Sequence, residues 1–259
     1  MSAESLAPRR NLWRIYGLEA KYELLKLLRL PLYVIPTVSF PLVFYILFGV
    51  LMRRGSTEVS TYLMATYGAF GAMNAALFGF GVGIAVERGQ GWMLFKRATP
   101  MPPLAGICGR LATCMAFSAL LVGILFAAGA LAGGVHLPLG SWLSLAGVLV
   151  AGSLPFAAFG LAVGLWSGPN SAPALLNLIS LPLSFASGMW MPIQMLPKMV
   201  QKVAPFLPPY HYTQLALGRL GRGDGEPVAR SIGVLLLFTL VSLGLAWIGW
   251  RRDEGKTFG

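Results

Sequence analysis

The sequence predicts an all-α polytopic membrane protein of one domain (1–259), and three observations carry that reading. Of its 259 residues, 56% are hydrophobic and 11% charged, where a soluble domain carries roughly 25% charged residues. Mean hydropathy is +0.69. Six apolar stretches are each long enough to cross a bilayer as a helix, which takes about 20 residues. The formal net charge of +11 invites a nucleic-acid partner. Its Lys and Arg sit at the ends of apolar runs, however, so no nucleic acid is expected and loops held in the cytoplasm are.

Before the first span, an amphipathic helix is expected over 11–29. Trp13, Tyr16, Ala20, Leu24 and Leu27 recur at three- and four-residue spacing, with Arg14, Glu19, Lys21, Glu23, Lys26 and Arg29 on the other side. Such a helix lies in the membrane interface against lipid headgroups, or on a soluble partner, and the two readings are compatible. The expected spans follow at 30–51, 62–86, 107–131, 142–165, 172–189 and 231–250. The fifth is short and carries Pro173 and Pro182. The first apolar run comes late and at full spanning length, unlike a cleavable signal peptide. Cys108 and Cys114, six apart on one helix, point to different faces and cannot bridge within it.

With the N-terminus inside, thirteen Lys and Arg fall on the cytoplasmic side and seven on the other, which favours both termini in the cytoplasm. Five of those seven lie in the last outer loop, which is tolerable if that loop is a folded element. Gly79–Gly83, Gly129–Gly133 and Gly160–Gly164 have the spacing of close helix contacts and suit a tight bundle or a dimer.

Chemistry-bearing patterns are scarce. No His, Cys, Asp and Glu cluster at metal spacing, and His136 and His211 read as polar residues of outer loops. The end Gly255-Lys256-Thr257 resembles that of a phosphate-binding loop, but Trp250 stands where its first glycine is required. The chain is therefore expected to bind no cofactor, with ATP and Mg²⁺ held in another subunit if the work is energised. Asn74 and Asn177 are polar groups inside spans, suited to interhelical hydrogen bonds or to lining a path. Phe44 and Tyr67 add aromatic surface suited to an amphipathic cargo, or to bundle packing.

Two segments are distinctive. After the second span, the loop 87–100 reads ERGQGWMLFKRATP. Glycines 89 and 91 break the span, then Trp92 and Phe95 share one face of a short helix stopped by Pro100, Pro102 and Pro103. That suits docking into a groove on a soluble partner, and an interfacial turn anchored by Trp92 would carry the same residues. Before the last span, five prolines at 192, 197, 205, 208 and 209 fall within eighteen residues. They break the ladder too often for a crossing. Leu196, Val200, Val203 and Leu207 form its expected apolar face, with Lys198, Gln201 and Lys202 toward water.

In their order and spacing, these features resemble the membrane permease subunit of type 2 ATP-binding-cassette (ABC) exporters over nearly the whole chain. The resemblance rests on the basic helix, six spans, the E-R-x-x-G…T-P loop and Ser187-Gly188-x-x-x-Pro192 with its later prolines. It implies a homodimer with two ATPase subunits in a bacterial-type cytoplasmic (inner) membrane. Glu87, Arg88, Gly91, Trp92, Phe95, Lys96 and Arg97 would form the coupling element on the ATPase. Segment 191–209, with Pro192, Pro197, Pro205 and Pro208, would form short re-entrant helices capping the exit. The implied cargo is a drug-like, antibiotic or lipid-like molecule. Two other readings stay open: a non-transporting scaffold, and an intramembrane serine protease built on Ser187 and His211.

Overall fold

The computed structural model describes residues 12–52, 55–92 and 103–255, and every regular element among them is helical. Phe95, Lys96 and Arg97 lie outside the described residues. The helix expected in the interface is α1, Leu12–Leu28. Tyr16, Ala20, Leu24 and Leu27 are half-buried, and Arg14, Lys21, Lys26 and Arg29 are exposed. Glu19 and Glu23 depart from expectation, for they turn inward toward the start of the third span. There Gly109 admits Glu19: a Cβ on it would stand 2.8 Å from the Glu19 Cγ.

The first span is α2, Pro31–Phe44, which widens into a π-helical stretch at Tyr45–Leu51. Gly49 lies so close under the Tyr45 ring that a Cβ would approach it to 2.7 Å. The central helix is α3, Thr57–Gly89, started by Ser56, whose hydroxyl accepts from the Val59 N–H. In α3, 67% of the apolar window is buried, against 17–44% in the other long apolar helices. The remaining elements are arranged around it.

The third span is α4, Pro103–Leu131, with α1 packed on its first half. The fourth is divided into α5, Leu139–Ala151, and α6, Leu154–Trp166, a break that the unbroken apolar run over 142–165 does not predict. Pro155 brings no N–H and its ring collides with the carbonyl four residues back. The Tyr212 ring fills the gap beside Gly152, where a Cβ would stand 2.4 Å from it, and the Tyr212 hydroxyl donates to the Leu149 carbonyl at 2.5 Å. Burial holds that phenol well above its ordinary 10, so it stays a donor.

Helix α6 crosses α3 backbone to backbone. A Cβ on Gly160 would meet the Leu77 carbonyl oxygen at 2.5 Å, and one on Gly164 the Gly81 oxygen at 2.4 Å. The other two glycine pairs also face this chain's own atoms: Gly79 and Gly83 face Tyr33 and Arg110, and Gly129 and Gly133 face Met64 and Tyr45. All three patterns are thus used inside the bundle.

Five described helices or helix pairs are long and apolar enough to cross a membrane. The expected fifth span, α7 (Ser171–Ala186), has 16 residues, about 24 Å of helix. It stops at Ser187 because Gly188 takes the left-handed conformation, φ +73°, the usual helix-ending glycine. The proline-rich segment follows as the turn Ile193–Met195, α8 (Lys198–Val203), the turn Ala204–Phe206 and α9 (Pro208–Gly218). The last span is α10, Val228–Gly255.

Candidate functional site

Two ends of the bundle and the stripe between them hold the candidate residues. At the α1 end, α3 finishes in Glu87-Arg88 just before the loop. Glu87 is buried and ion-paired on one oxygen with Lys26 of α1 and on the other with Arg110 of α4. Glu23 stands 3.8 Å from both cations. Four charges therefore fasten three helices where a buried carboxylate alone would cost several kcal/mol. Arg88 turns the other way and donates to the carbonyls of Gly164, at 3.2 Å, and Leu165. It thereby satisfies the open end of α6, as a cation does at a helix C-terminus.

Gly89 remains helical and lets Pro169, ahead of α7, close on α3: a Cβ would stand 2.3 Å from the Pro169 Cγ. The span is broken at Gly91, whose φ of +74° demands glycine. Trp92, the next residue, is 53% exposed. Glu87 and Arg88 therefore anchor the loop from inside, and Trp92 is the described residue of the motif that presents a large apolar surface.

Along the bundle, Asn74, Phe78, Val82 and Val86 are half-buried at one-turn spacing on α3. The Asn74 amide donates to the Phe70 carbonyl of its own helix at 2.9 Å. Asn177 is exposed on the outer face of α7 beside Leu178. No hydrogen bond joins the two asparagines to other helices among the described residues. Phe44 is half-buried, and Tyr67 is buried with its hydroxyl donating to the Trp190 carbonyl at 3.2 Å. Trp190 gathers Phe40, Phe44, Phe70 and Phe185 at centroid distances of 5.7–6.4 Å. Its indole N–H is buried without a partner among the described residues.

At the opposite end, the prolines act as element starts. Pro192 and Pro197 precede the Ile193 turn and α8, Pro205 sits inside the next turn, and Pro208 opens α9. Leu196 is buried and Val200 and Leu207 are half-buried, but Val203 is exposed with Met195, Met199 and Phe206. Lys198 and Lys202 face outward as expected. Gln201 instead folds back to donate to the Gln194 and Leu196 carbonyls, at 3.2 and 2.7 Å. Asp224 clamps the segment to α9, accepting from Gln194 and Gln214 at 2.6 Å each.

His211 is not a polar loop residue. It is fully buried in α9, with one ring nitrogen 3.1 Å from the Ser231 hydroxyl and the other 2.9 Å from the Pro205 carbonyl. The Ser187 hydroxyl is buried with no partner among the described residues, so no base stands on it. Arg110, Asp224 and Tyr212 were not singled out by the sequence, and Lys26 was read only as part of the charged face of the N-terminal helix. Arg110 alone left a signal, as a cation three residues inside an apolar run.

The sequence profile of the ABC-2 family transporter proteins matches residues 53–248, about three quarters of the chain. The chain belongs to that family. It is also 27% identical over 236 residues to YvfS of Bacillus subtilis (strain 168), a protein that bears the name of a transport permease. That match covers 90% of this chain and 95% of YvfS. As an ABC-2 family member, the chain is a membrane component of an ABC transporter. The profile spans Glu87, Arg88, Arg110 and the whole proline-rich segment, while Lys26 comes from the helix before it.

Proposed function

We propose that this protein is the permease subunit of an ATP-driven exporter, working as a homodimer with two separate ATPase subunits that hold ATP and Mg²⁺. The observation that carries the reading is the double anchoring of the α3 end. Glu87 ties it to α1 and α4, and Arg88 ties it to α6. A push on the loop beginning at Gly91 therefore moves three neighbouring helices with the central one, which a coupling element must do. Trp92, with Phe95, Lys96 and Arg97, supplies the contact with the ATPase.

In this reading α7 is the fifth of six spans, and both termini are cytoplasmic in the inner membrane. The path forms between two copies, where the α7 face carries Asn177. An amide turned to lipid is disfavoured, so a partner or water is the better neighbour for it. Segment 191–209 closes the exit side. The half-buried stripe and the aromatic group around Trp190 suit a drug-like, antibiotic or lipid-like amphiphile. Copurification tests the assignment: the permease should bring down an ABC ATPase at equal stoichiometry, and Trp92→Ala should weaken that capture about tenfold. A permease that transports alone, with no ATPase bound or required, refutes it.

A further inference from the structure

His211 is fully buried on the first turn of α9, and it joins two elements besides its own. One ring nitrogen, Nε2, lies 2.9 Å from the Pro205 carbonyl in the turn Ala204–Phe206. The other, Nδ1, lies 3.1 Å from the Ser231 hydroxyl at the start of α10. Ser231 is itself 1% exposed, so water does not compete for these bonds. A carbonyl only accepts, which fixes the ring proton on Nε2. Nδ1 is then the acceptor for the Ser231 hydroxyl. The ring is therefore held neutral, with both nitrogens used and each tied to a different element.

Imidazole is the side chain that ordinarily changes charge between pH 5 and 8. A second ring proton would sit on Nδ1 and point at the hydroxyl hydrogen that Nδ1 now accepts. The new charge would also be buried without a counter-ion, because the carboxylates of the neighbouring elements are committed. Ahead of α10, Asp224 accepts from Gln194 and Gln214, and Glu226 is paired with Arg230. At the start of α3, Glu58 lies 3.9 Å from Arg222, and the Tyr62 and Tyr67 hydroxyls donate to the Gly188 and Trp190 carbonyls. Lys198 and Lys202 of α8 and Arg219 after α9 are exposed. Helices α5, α6 and α7 carry no ionisable side chain. On α9 the Tyr210 ring stands edge-on to His211 at 5.4 Å. Burial pushes its phenol up to about 12, with Asp224 and Glu226 adding to the rise, and holds that of Tyr212 well above 10. Both phenols therefore keep their protons in this range.

We propose that His211 is an acid-sensitive latch between the proline-rich segment and the last span, closed while its ring is neutral and released when the ring is protonated. The sign follows from where the proton goes. In the closed state the added charge is desolvated and unpaired, which is costly. Once the segment lifts, the ring meets water and takes the proton without that cost. Acid therefore favours the lifted state, by up to about tenfold per pH unit for one proton. The latch is a property of this chain alone. Its use, an exit that opens more readily when the outside is acidic, rests on the permease reading.

Hydrogen exchange of the full-length chain in lipid nanodiscs reads the latch, with uptake corrected for the intrinsic pH dependence of amide exchange. Protection over 198–207 should fall about tenfold between pH values of about 7.5 and 5.5, while α5 stays unchanged. His211→Gln keeps a donor for the Pro205 carbonyl but takes up no proton, so its protection should be equal at the two pH values. Asp224→Asn removes the other titratable tie on the segment and should keep the wild-type step. Ser231→Ala gives a second reading should His211→Gln fail to fold. It frees Nδ1 to take the proton, so the step should move to higher pH. The proposal is overturned by no step in wild type, by a full step in His211→Gln, by its loss in Asp224→Asn, or by an unmoved step in Ser231→Ala. The readout involves neither an ATPase nor a cargo, so failure of the permease reading leaves the latch standing.

Discussion

Removing the Arg110 guanidinium leaves the Glu87 carboxylate, itself buried, with Lys26 as the cation still paired on it among the contacts described. Breaking a buried pair from one side is expensive because the abandoned charge stays desolvated. Arg110→Ala should therefore destabilise the protein by about 3 kcal/mol, read as a lower midpoint of thermal unfolding in detergent. Lys26→Ala should cost under about 1 kcal/mol, since its side chain is half in solvent and screened there. Removing both charges, as Glu87→Gln with Arg110→Gln, should recover much of the loss. Equal midpoints for Arg110→Ala and wild type would mean the cluster does not hold the three helices together. Glu87 was legible in the sequence as part of a motif, but its structural role was not. Lys26 is 61 residues away from it, and no local spacing rule joins residues that only the packing of α1 and α4 brings together.

The elements were legible wherever hydropathy alone decides them, and misread where a proline's place in its helix matters. Pro208 and Pro209 read as breaks in the helical ladder, yet they open α9 at its first positions, where a missing N–H leaves no bond unmade. Pro155 passed unnoticed inside a long apolar run, yet it divides the fourth span because Tyr212, far off in sequence, supports the break. Tyr212→Phe removes that support while keeping the ring, and should cost about 1 kcal/mol. Below pH 10 the size of this loss should not change, because the buried phenol is protonated throughout. Above it, the unfolded phenol ionises and the buried one resists, so alkali should destabilise wild type more than Tyr212→Phe. Glycine spacing was legible and its use was not, since a crossing inside the chain and one between chains look alike in sequence. Gly160→Ala sets a Cβ 2.5 Å from the Leu77 carbonyl oxygen. Backbone cannot give way cheaply, so a loss of about 1–3 kcal/mol is expected. Gly147→Ala on α5 meets open space and should be neutral or stabilising by up to about 1 kcal/mol. If the two variants melt alike, α3 and α6 are not in backbone contact.

At the scale of the whole molecule, the charge bias and the fold bear on the same question of sidedness. The end that carries α1 also carries Arg88, Arg110, Arg251 and Arg252, and Arg252 lies 4.5 Å over the Trp166 ring at the close of α6. The opposite end holds five of the seven cations that count against cytoplasmic termini. The fold accounts for that tension, because those cations belong to a segment with its own hydrogen bonds. Arg222 donates to the Glu58 carbonyl at 2.7 Å, and Arg230 lies 3.2 Å from Glu226. Cysteine labelling in intact cells decides sidedness with little disturbance. Cys108 is exposed at the α1 end and Cys114 is buried, so the native chain offers one reactive thiol on that side. Met199, 82% exposed on α8, marks the other. A membrane-impermeant maleimide should label Met199→Cys in whole cells and leave Cys108 untouched until the cells are opened. The reverse pattern would put the Glu87 cluster outside, away from any ATP. That result would remove the coupling role of the α3 end in one step, whatever the family of the chain.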